Sequence, residues 1–394
     1  MGSHAYITIV NKTGSAMKLV HCHSYQMNEW NFPKKVGAGE SERFEVEWCA
    51  TLFKHQKDDA GEAYYELENH SSKRIEFAMW NGKEYNFTIK QIGFKDIDSN
   101  AKNVDWVNKG EIVFVFYEKG VNFKQWMKQI DGNTPINKLC IPGTHDTLTY
   151  SVGGVLENTA KTQKENFVEQ LNCGCRYFDL RGDKNLSGCH GIVKCDDNWR
   201  DVMGWVKEFF AANPDETLVM RMKYDGGADN SDYKKNIEKF FDDYRSLFWR
   251  NNLSRGFPIL NDVRGKIVVL DSLDGHYISG RGYGYMYSQE GKFDIQDDYN
   301  GPDEDEKFDK IKDNIELPYN PERMKINHVS ATGKTGGIVV GWDPRDYANY
   351  ENPRVIEYLA GRTERPVTGL LIFDFINSFI TPTVIKWNDL RDLG

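Results

Sequence analysis

Apolar and polar positions alternate with a period of two along the first third of the chain. Residues 5–10, 16–21, 40–48, 63–68, 74–80, 84–89 and 111–117 are short runs of alternating or β-branched character. Turn-forming clusters separate them: Asn11-Lys12-Thr13-Gly14, Gly37-Ala38-Gly39, residues 69–73 and Asn81-Gly82. This spacing predicts strands, and no segment here sustains the apolar period of a helix. About seven short strands within residues 1–119 predict an all-β sandwich.

The pattern changes after Gly120. Apolar runs at 138–141, 176–180, 217–223, 266–270, 325–329 and 370–375 predict strands, and a further short strand ends at Cys189-His190-Gly191. Amphipathic stretches at 165–172, 199–212, 231–249 and 352–361 predict helices. The second of these places Val202, Val206, Phe209 and Phe210 on one face and stops at Asn213-Pro214. Alternation of strand and helix over residues 120–394 predicts an α/β domain, most simply a distorted TIM-type (β/α) barrel with some helices short or missing. Residues 280–314 lack a clear period and read as a long surface excursion. The expected fold class is therefore multi-domain: an accessory β-sandwich at 1–119 and a barrel at 120–394.

Length and composition agree with this division. The chain has 394 residues, 39% of them hydrophobic, which is enough for two cores and excludes a disordered chain. No apolar run approaches the ~18 residues of a membrane-spanning helix. A net charge of -9 makes nucleic acid an unsuitable partner, so any affinity for an anionic bilayer must come from local patches or inserted apolar residues. Seven cysteines do not form a disulfide scaffold. Cys173, Cys175, Cys189 and Cys195 read as reduced thiols, with a disulfide among them as the alternative. The absence of CxxC and HxxxH spacings argues against zinc. The opening Met1-Gly2-Ser3-His4 resembles an expression tag, so the lack of a leader says little about compartment. A secreted or peripheral membrane location is favoured over a cytoplasmic one.

The barrel's predicted strand ends carry the chemistry. His145 and Asp146 follow the first strand, Asp179 and Arg181 the second and His190 the third; Lys223 and Asp225 follow the fourth, and Asp374 closes the last. Active sites of such barrels lie at the carboxyl ends of the strands, so these side chains share one mouth. Two imidazoles and a guanidinium suit phosphodiester cleavage. A neutral histidine accepts the proton of the attacking hydroxyl, and a protonated one donates to the leaving alkoxide. The arginine pairs with phosphoryl oxygens as they gain charge, and carboxylates behind the imidazoles fix their tautomers.

These residues lie in motifs. Ile141-Pro142-Gly143-Thr144-His145-Asp146-Thr147, Arg176-Tyr177-Phe178-Asp179-Leu180-Arg181-Gly182 and Cys189-His190-Gly191 resemble the X-domain signatures of bacterial phosphatidylinositol-specific phospholipase C. The likeness runs in order over about residues 121–390 and leaves out residues 1–118. It implies that His145 is the general base on the inositol 2-hydroxyl, backed by Asp374, and that His190, coupled to Asp146, is the general acid. Arg181 would hold the phosphate, giving diacylglycerol and a cyclic inositol phosphate. By the same resemblance Lys223, Asp297 and Tyr299 contact the inositol, with Asp179 completing the substrate-binding set. Calcium-using relatives place carboxylates around the phosphate; Arg181 supplies that charge here, so neither metal nor cofactor is expected. The acid run Asp303-Glu304-Asp305-Glu306 reads as a solvated face. One departure stands out: after the 266–270 strand, relatives carry a basic inositol contact where this chain has Asp271-Ser272.

The expected function is metal-independent cleavage of phosphatidylinositol or a glycosylated form of it. The expected partners are an inositol phospholipid head group and a membrane surface engaged peripherally, with the enzyme a monomer. Two alternatives stand beside it: a catalytically silent membrane-binding protein with the same barrel, and a metal-dependent phosphodiesterase of the glycerophosphodiesterase type. The 1–119 module is expected to target a lipid or glycan surface; its His21-Cys22-His23 is a weak metal candidate.

Overall fold

The computed structural model describes residues 4–49, 56–80, 86–105, 109–226, 232–253, 255–273, 278–335, 338–339 and 342–391. The Asn81-Gly82 turn, the first two residues of the 84–89 run and Ser231 lie outside the described residues. The chain forms two compact units. One comprises Met1–Val121 with Ile356–Arg362, the other Asn122–Val355 with Thr363–Gly394.

The first unit contains two sheets. One is four-stranded, ordered Glu111–Tyr117, His4–Lys12, Ser41–Glu47, Glu29–Trp30. The other is six-stranded, ordered Lys35–Val36, Met17–Tyr25, Ala60–Leu67, His70–Trp80, Asn86–Ile92, Lys102–Val104. Period-two alternation explains the burial: in Ala60–Leu67 every second residue, from Gly61 to Leu67, is buried. The buried faces meet in an aromatic cluster, with Phe77 of the larger sheet 5.9 Å from both Phe114 and Phe116 of the smaller. Three strands escaped the sequence pattern because two or three residues cannot establish a period. Asn11 is fully buried and donates to the carbonyls of Ser15, Val36 and Gly37, binding one turn to the next strand.

The second unit is organised by eight parallel strands: Cys140–Thr144, Tyr177–Gly182, Leu218–Tyr224, Ile267–Ser272, Tyr285–Met286, Phe293–Gln296, Met324–His328 and Gly369–Phe373. Numbered one to eight in that order, they lie side by side as 5-4-3-2-1-8-7-6, the circular order of a (β/α) barrel. The fifth and sixth strands do not pair with one another among the described residues, so the sheet is open at that seam. Burial on both faces explains why Ile267–Leu270 reads as an unbroken apolar run. Gly143 permits the first and second strands to approach, since a Cβ there would lie 2.5 Å from that of Tyr177. At the amino ends of the strands the fully buried Arg176 and Glu216 pair at 2.7 Å. Arg176 also donates to the carbonyls of Leu171, Cys175, Phe123 and Lys124, and Glu216 accepts from the amides of Met127 and Lys128. This pair fastens the segment entering the unit.

Helix Trp199–Ala212 begins where expected and helix Phe167–Asn172 two residues later than the predicted 165, each with a capping box, Asn198 with Asp201 and Asn166 with Glu169. Four expectations need correction. The strand carrying His190 is not a third barrel strand: Ser187–His190 and Val193–Asn198 form an antiparallel hairpin that joins the second strand at Gly182. A four-residue strand with a tight return cannot complete a parallel crossover. The 280–314 excursion contains the fifth and sixth strands and most of helix Glu304–Glu316, whose N-cap Asp303 accepts from the amides of Asp305 and Glu306. The acid run is thus a helix cap and first turn, where negative charge meets the positive end of the dipole. The helix predicted at 231–249 is Tyr233–Asp243. The helix expected from 352 starts at Pro344, because Asp343 caps it and Pro353 is accommodated inside.

Candidate active site

Strand ends turn sharply at the mouth. Asp146 and Phe375 both have left-handed backbone, with φ of 43° and 49°. These conformations are costly for residues other than glycine, and they cluster where function is built. They follow His145 and Asp374 respectively. Fully buried Gln163 supports the turn by donating to the carbonyls of His145 and Phe373, each at 2.9 Å, while Thr162 donates to the His145 carbonyl at 3.0 Å.

The side chains then meet. His145 Nδ1 donates to Asp374 Oδ1 at 2.8 Å, and Arg181 Nη2 donates to His145 Nε2 at 2.8 Å. The network therefore assigns the proton to Nδ1 and a lone pair to Nε2. Burial, reinforced by Arg181, holds the His145 imidazole well below the usual histidine range. Burial also pushes the Asp374 carboxyl well up, with the charge of Asp146 adding to the effect. Arg181 is gripped from two further sides: its Nε lies 2.5 Å from Asp146 Oδ1, and its Nη2 donates to Asp179 Oδ2 at 2.8 Å. Burial opposes the charge of Asp179, but Arg181 and Arg221 outweigh it and hold its carboxyl far below the normal value.

His190 projects from the hairpin. Its Nδ1 donates to the Ala160 carbonyl at 3.1 Å, which turns Nε2 toward Asp146 Oδ2 at 3.6 Å. The same carboxylate oxygen is 3.5 Å from His145 Nε2, so both imidazoles and Arg181 surround Asp146. Burial raises the Asp146 carboxyl and Arg181 opposes that rise. Asp225 accepts from the Gly191 amide at 3.0 Å and sits 3.7 Å from Arg181 and 3.4 Å from Lys223.

The structure thus gathers His145, Asp146, Asp179, Arg181, His190 and Asp374, with Lys223 at the edge. Asp297 lies on the other side, 3.9 Å from His328 Nδ1. Tyr299 is exposed, and among the described residues its side chain makes no hydrogen bond or ring contact with the cluster. Asp271 is buried and committed to its own loop, accepting from the amides of Leu273, Ile278 and Ser279 and from the Ser279 hydroxyl. Three residues at the mouth went unnoticed in the sequence. His328 ends the seventh strand with its ring 6.1 Å from that of His145, and burial brings its imidazole down to about 4. The Tyr287 hydroxyl and His328 Nε2 are hydrogen-bonded at 3.2 Å, and Arg221 stacks over the Tyr287 ring at 4.1 Å. A signal existed for two of them: Arg221 interrupts the apolar run 217–223, and His328 sits near the end of the run 325–329.

A metal ion could find three donors in His145, Asp146 and Asp179, whose ligand atoms lie within 4.8 Å of one another. Arg181 already bonds or pairs with all three, so its fixed charge stands where a cation would.

The family model for phosphatidylinositol-specific phospholipase C, X domain, matches residues 133–272. The 1-phosphatidylinositol phosphodiesterase of Listeria monocytogenes is 32% identical over 289 residues, covering 69% of this chain and 87% of the relative. A protein of the same name from Staphylococcus aureus is 27% identical over 282 residues, covering 64% and 88%. The solved structure of the phosphatidylinositol-specific phospholipase C from Listeria monocytogenes superposes with a TM-score of 0.60 at 30% identity, over 68% of this chain and 100% of that one. By sequence, fold order and the residues gathered at its barrel mouth, the chain belongs to the phosphatidylinositol-specific phospholipase C family.

Proposed function

We propose that this chain cleaves the phosphodiester of phosphatidylinositol by metal-independent general acid and base catalysis, releasing diacylglycerol and a cyclic inositol phosphate. The observation that carries this reading is the convergence of His145 and His190 on Asp146 with Arg181 between them. His145 Nε2, a lone pair backed by Asp374 through Nδ1, accepts the proton of the ring hydroxyl next to the phosphate. Attack by that neighbouring hydroxyl forms the new P–O bond intramolecularly, which removes much of the entropic barrier. His190, oriented by the Ala160 carbonyl, delivers a proton from Nε2 to the departing glycerol oxygen as the old P–O bond breaks. Arg181 covers His145 Nε2 in the absence of substrate; a phosphoryl anion competes for its N–H groups, uncovers the base and receives the charge of the transition state.

A membrane-bound substrate requires contact with the bilayer. Val155, 96% exposed, and Leu156 immediately precede helix Glu157–Ala160, whose last carbonyl holds His190. Ile192, 97% exposed, lies two residues beyond His190. Apolar side chains exposed to this degree beside the site support peripheral docking that presents the mouth to lipid.

The test is turnover of phosphatidylinositol vesicles in the presence of a chelator. Diacylglycerol and cyclic inositol phosphate should appear at an unchanged rate. Silence with retained vesicle binding would identify a non-catalytic membrane protein, and loss of turnover on chelation would assign the charge to a metal held by His145, Asp146 and Asp179.

A further inference from the structure

The third strand sends two basic side chains to the inside of the sheet. Lys223 is in register with Arg181, and Arg221 with Asp179, so Arg221 sits one inward-facing position deeper. Its guanidinium rests on the Tyr287 ring and has a single long ion pair, 3.8 Å to Asp179 Oδ1, while Arg181 takes the other oxygen of that carboxylate. The Arg221 side chain keeps only 10% of its surface exposed, and its Nε is sealed without a partner. Among the described residues the guanidinium makes no hydrogen bond. A guanidinium carries five N–H donors in a fixed fork, and leaving them unmade in so enclosed a place is costly. The fork is therefore a donor set open to an acceptor-bearing ligand.

Its neighbours define the acceptor. Arg221 touches Tyr287, Tyr287 is hydrogen-bonded to His328, and His328 faces Asp297, making a wall beside His145. One end of this wall donates hydrogen bonds and the other accepts them. That pattern fits a polyol, whose hydroxyls do both. It does not fit an added phosphate, which would meet Asp179 next to the same guanidinium and Asp297 at the far end. On the fourth strand Leu270 and Ser272 are in register with Arg221 and Lys223, while Asp271, one position out of phase, is spent on its own loop, so no second cation stands beside Arg221 there.

We propose that Arg221 is a specificity-determining residue for the head group, its forked N–H groups binding ring hydroxyls of the inositol moiety. The proposal rests on the phosphodiesterase reading above and deepens it. The experiment compares wild type, Arg221→Met and Arg221→Lys on phosphatidylinositol vesicles, with free myo-inositol as inhibitor and circular dichroism and thermal melting as fold controls. Wild-type silence on phosphatidylinositol refutes the parent reading and leaves no head group to recognise. With wild type active, Arg221→Met should lose at least tenfold in kcat/KM and lose inhibition by myo-inositol, with the pH profile of the remaining activity unmoved. Arg221→Lys keeps the charge without the fork and should retain the fold while losing most of the inositol inhibition; it carries the test if Arg221→Met fails to fold. Wild-type kinetics and inositol inhibition in a folded Arg221 variant overturn the proposal. So does a loss confined to phosphorylated phosphatidylinositols, which would assign Arg221 to an anionic substituent.

Discussion

Replacing Asp374 by Asn tests the proton arrangement at the base. Asp374 accepts the His145 Nδ1 proton at 2.8 Å while Arg181 donates to Nε2 at the same distance. An asparagine can offer its amide hydrogen to Nδ1, which moves the ring proton to Nε2. There it faces the Arg181 donor, and the lone pair needed to accept the substrate proton is gone. Wrong-tautomer substitutions of this kind cost about 10⁴ in kcat, or about 5 kcal/mol of transition-state stabilisation. Asp374→Ala leaves the tautomer free and removes only orientation and charge, so its loss should be smaller, about 10²–10³. The order Asn worse than Ala is the diagnostic. Stability should move the other way. The Asp374 carboxyl titrates higher in the folded chain than when unfolded, so its stabilising contribution is full at low pH and is lost as pH rises through the folded value. At neutral pH, Asp374→Asn should therefore melt at the wild-type temperature or above it. The assay is steady-state turnover of phosphatidylinositol with parallel thermal melts. More than a tenth of wild-type kcat in Asp374→Asn, or an alanine variant slower than the asparagine one, refutes the assigned tautomer.

The depressed His145 imidazole must be neutral to act as base, so kcat/KM should persist below pH 6.5 on its acid limb; a limb at or above the free-histidine value would contradict the burial and Arg181 argument. Val155→Glu combined with Ile192→Glu should cut turnover on dilute vesicles by tenfold or more and leave hydrolysis of water-soluble cyclic inositol phosphate unchanged; equal effects on both substrates would remove these residues from the membrane contact. Glu216→Gln strips the buried Arg176 of its counter-charge and should destabilise the fold by about 3–5 kcal/mol in denaturant titrations, whereas a cost under about 1 kcal/mol would show the pair to be dispensable.

What the sequence disclosed follows from which physical signals are local. Strands buried on both faces announced themselves as apolar runs, and polar residues at the ends of the strands marked the mouth, as with His145 just after Cys140–Thr144 and Arg181 near the end of Tyr177–Gly182. The helices at 167–172 and 199–212 were located by their apolar period, and the capping boxes at Asn166 and Asn198, each spanning four residues, are found at their starts in the structure. The hairpin of His190 was misplaced because antiparallel and parallel strands have the same local pattern; only the pairing of Gly182 with Gly188 distinguishes them, and pairing is non-local. Helix Glu304–Glu316 was hidden by a low apolar content, its buried positions being Lys307, Ile311, Asn314 and Ile315, of which the two polar ones donate to Gln296 and to the Asp294 carbonyl.

Arg221 shows where such reading fails at a site. Within a strand, alternate positions share a face, so Val219, Arg221 and Lys223 point the same way whether that face is core or cavity. A charged residue below the strand end looks like an interruption of the core. It becomes intelligible only when Tyr287 and His328, brought in by the fifth and seventh strands, form the surface on which it lies. The acid and base that break a phosphodiester can follow a strand directly, because attack needs few atoms at one point. Recognition of a six-membered ring of hydroxyls needs donors and acceptors spread over its width. Those have to come from several strands at different depths, so the residues that choose the substrate should be harder to find in a linear sequence than the residues that cleave it.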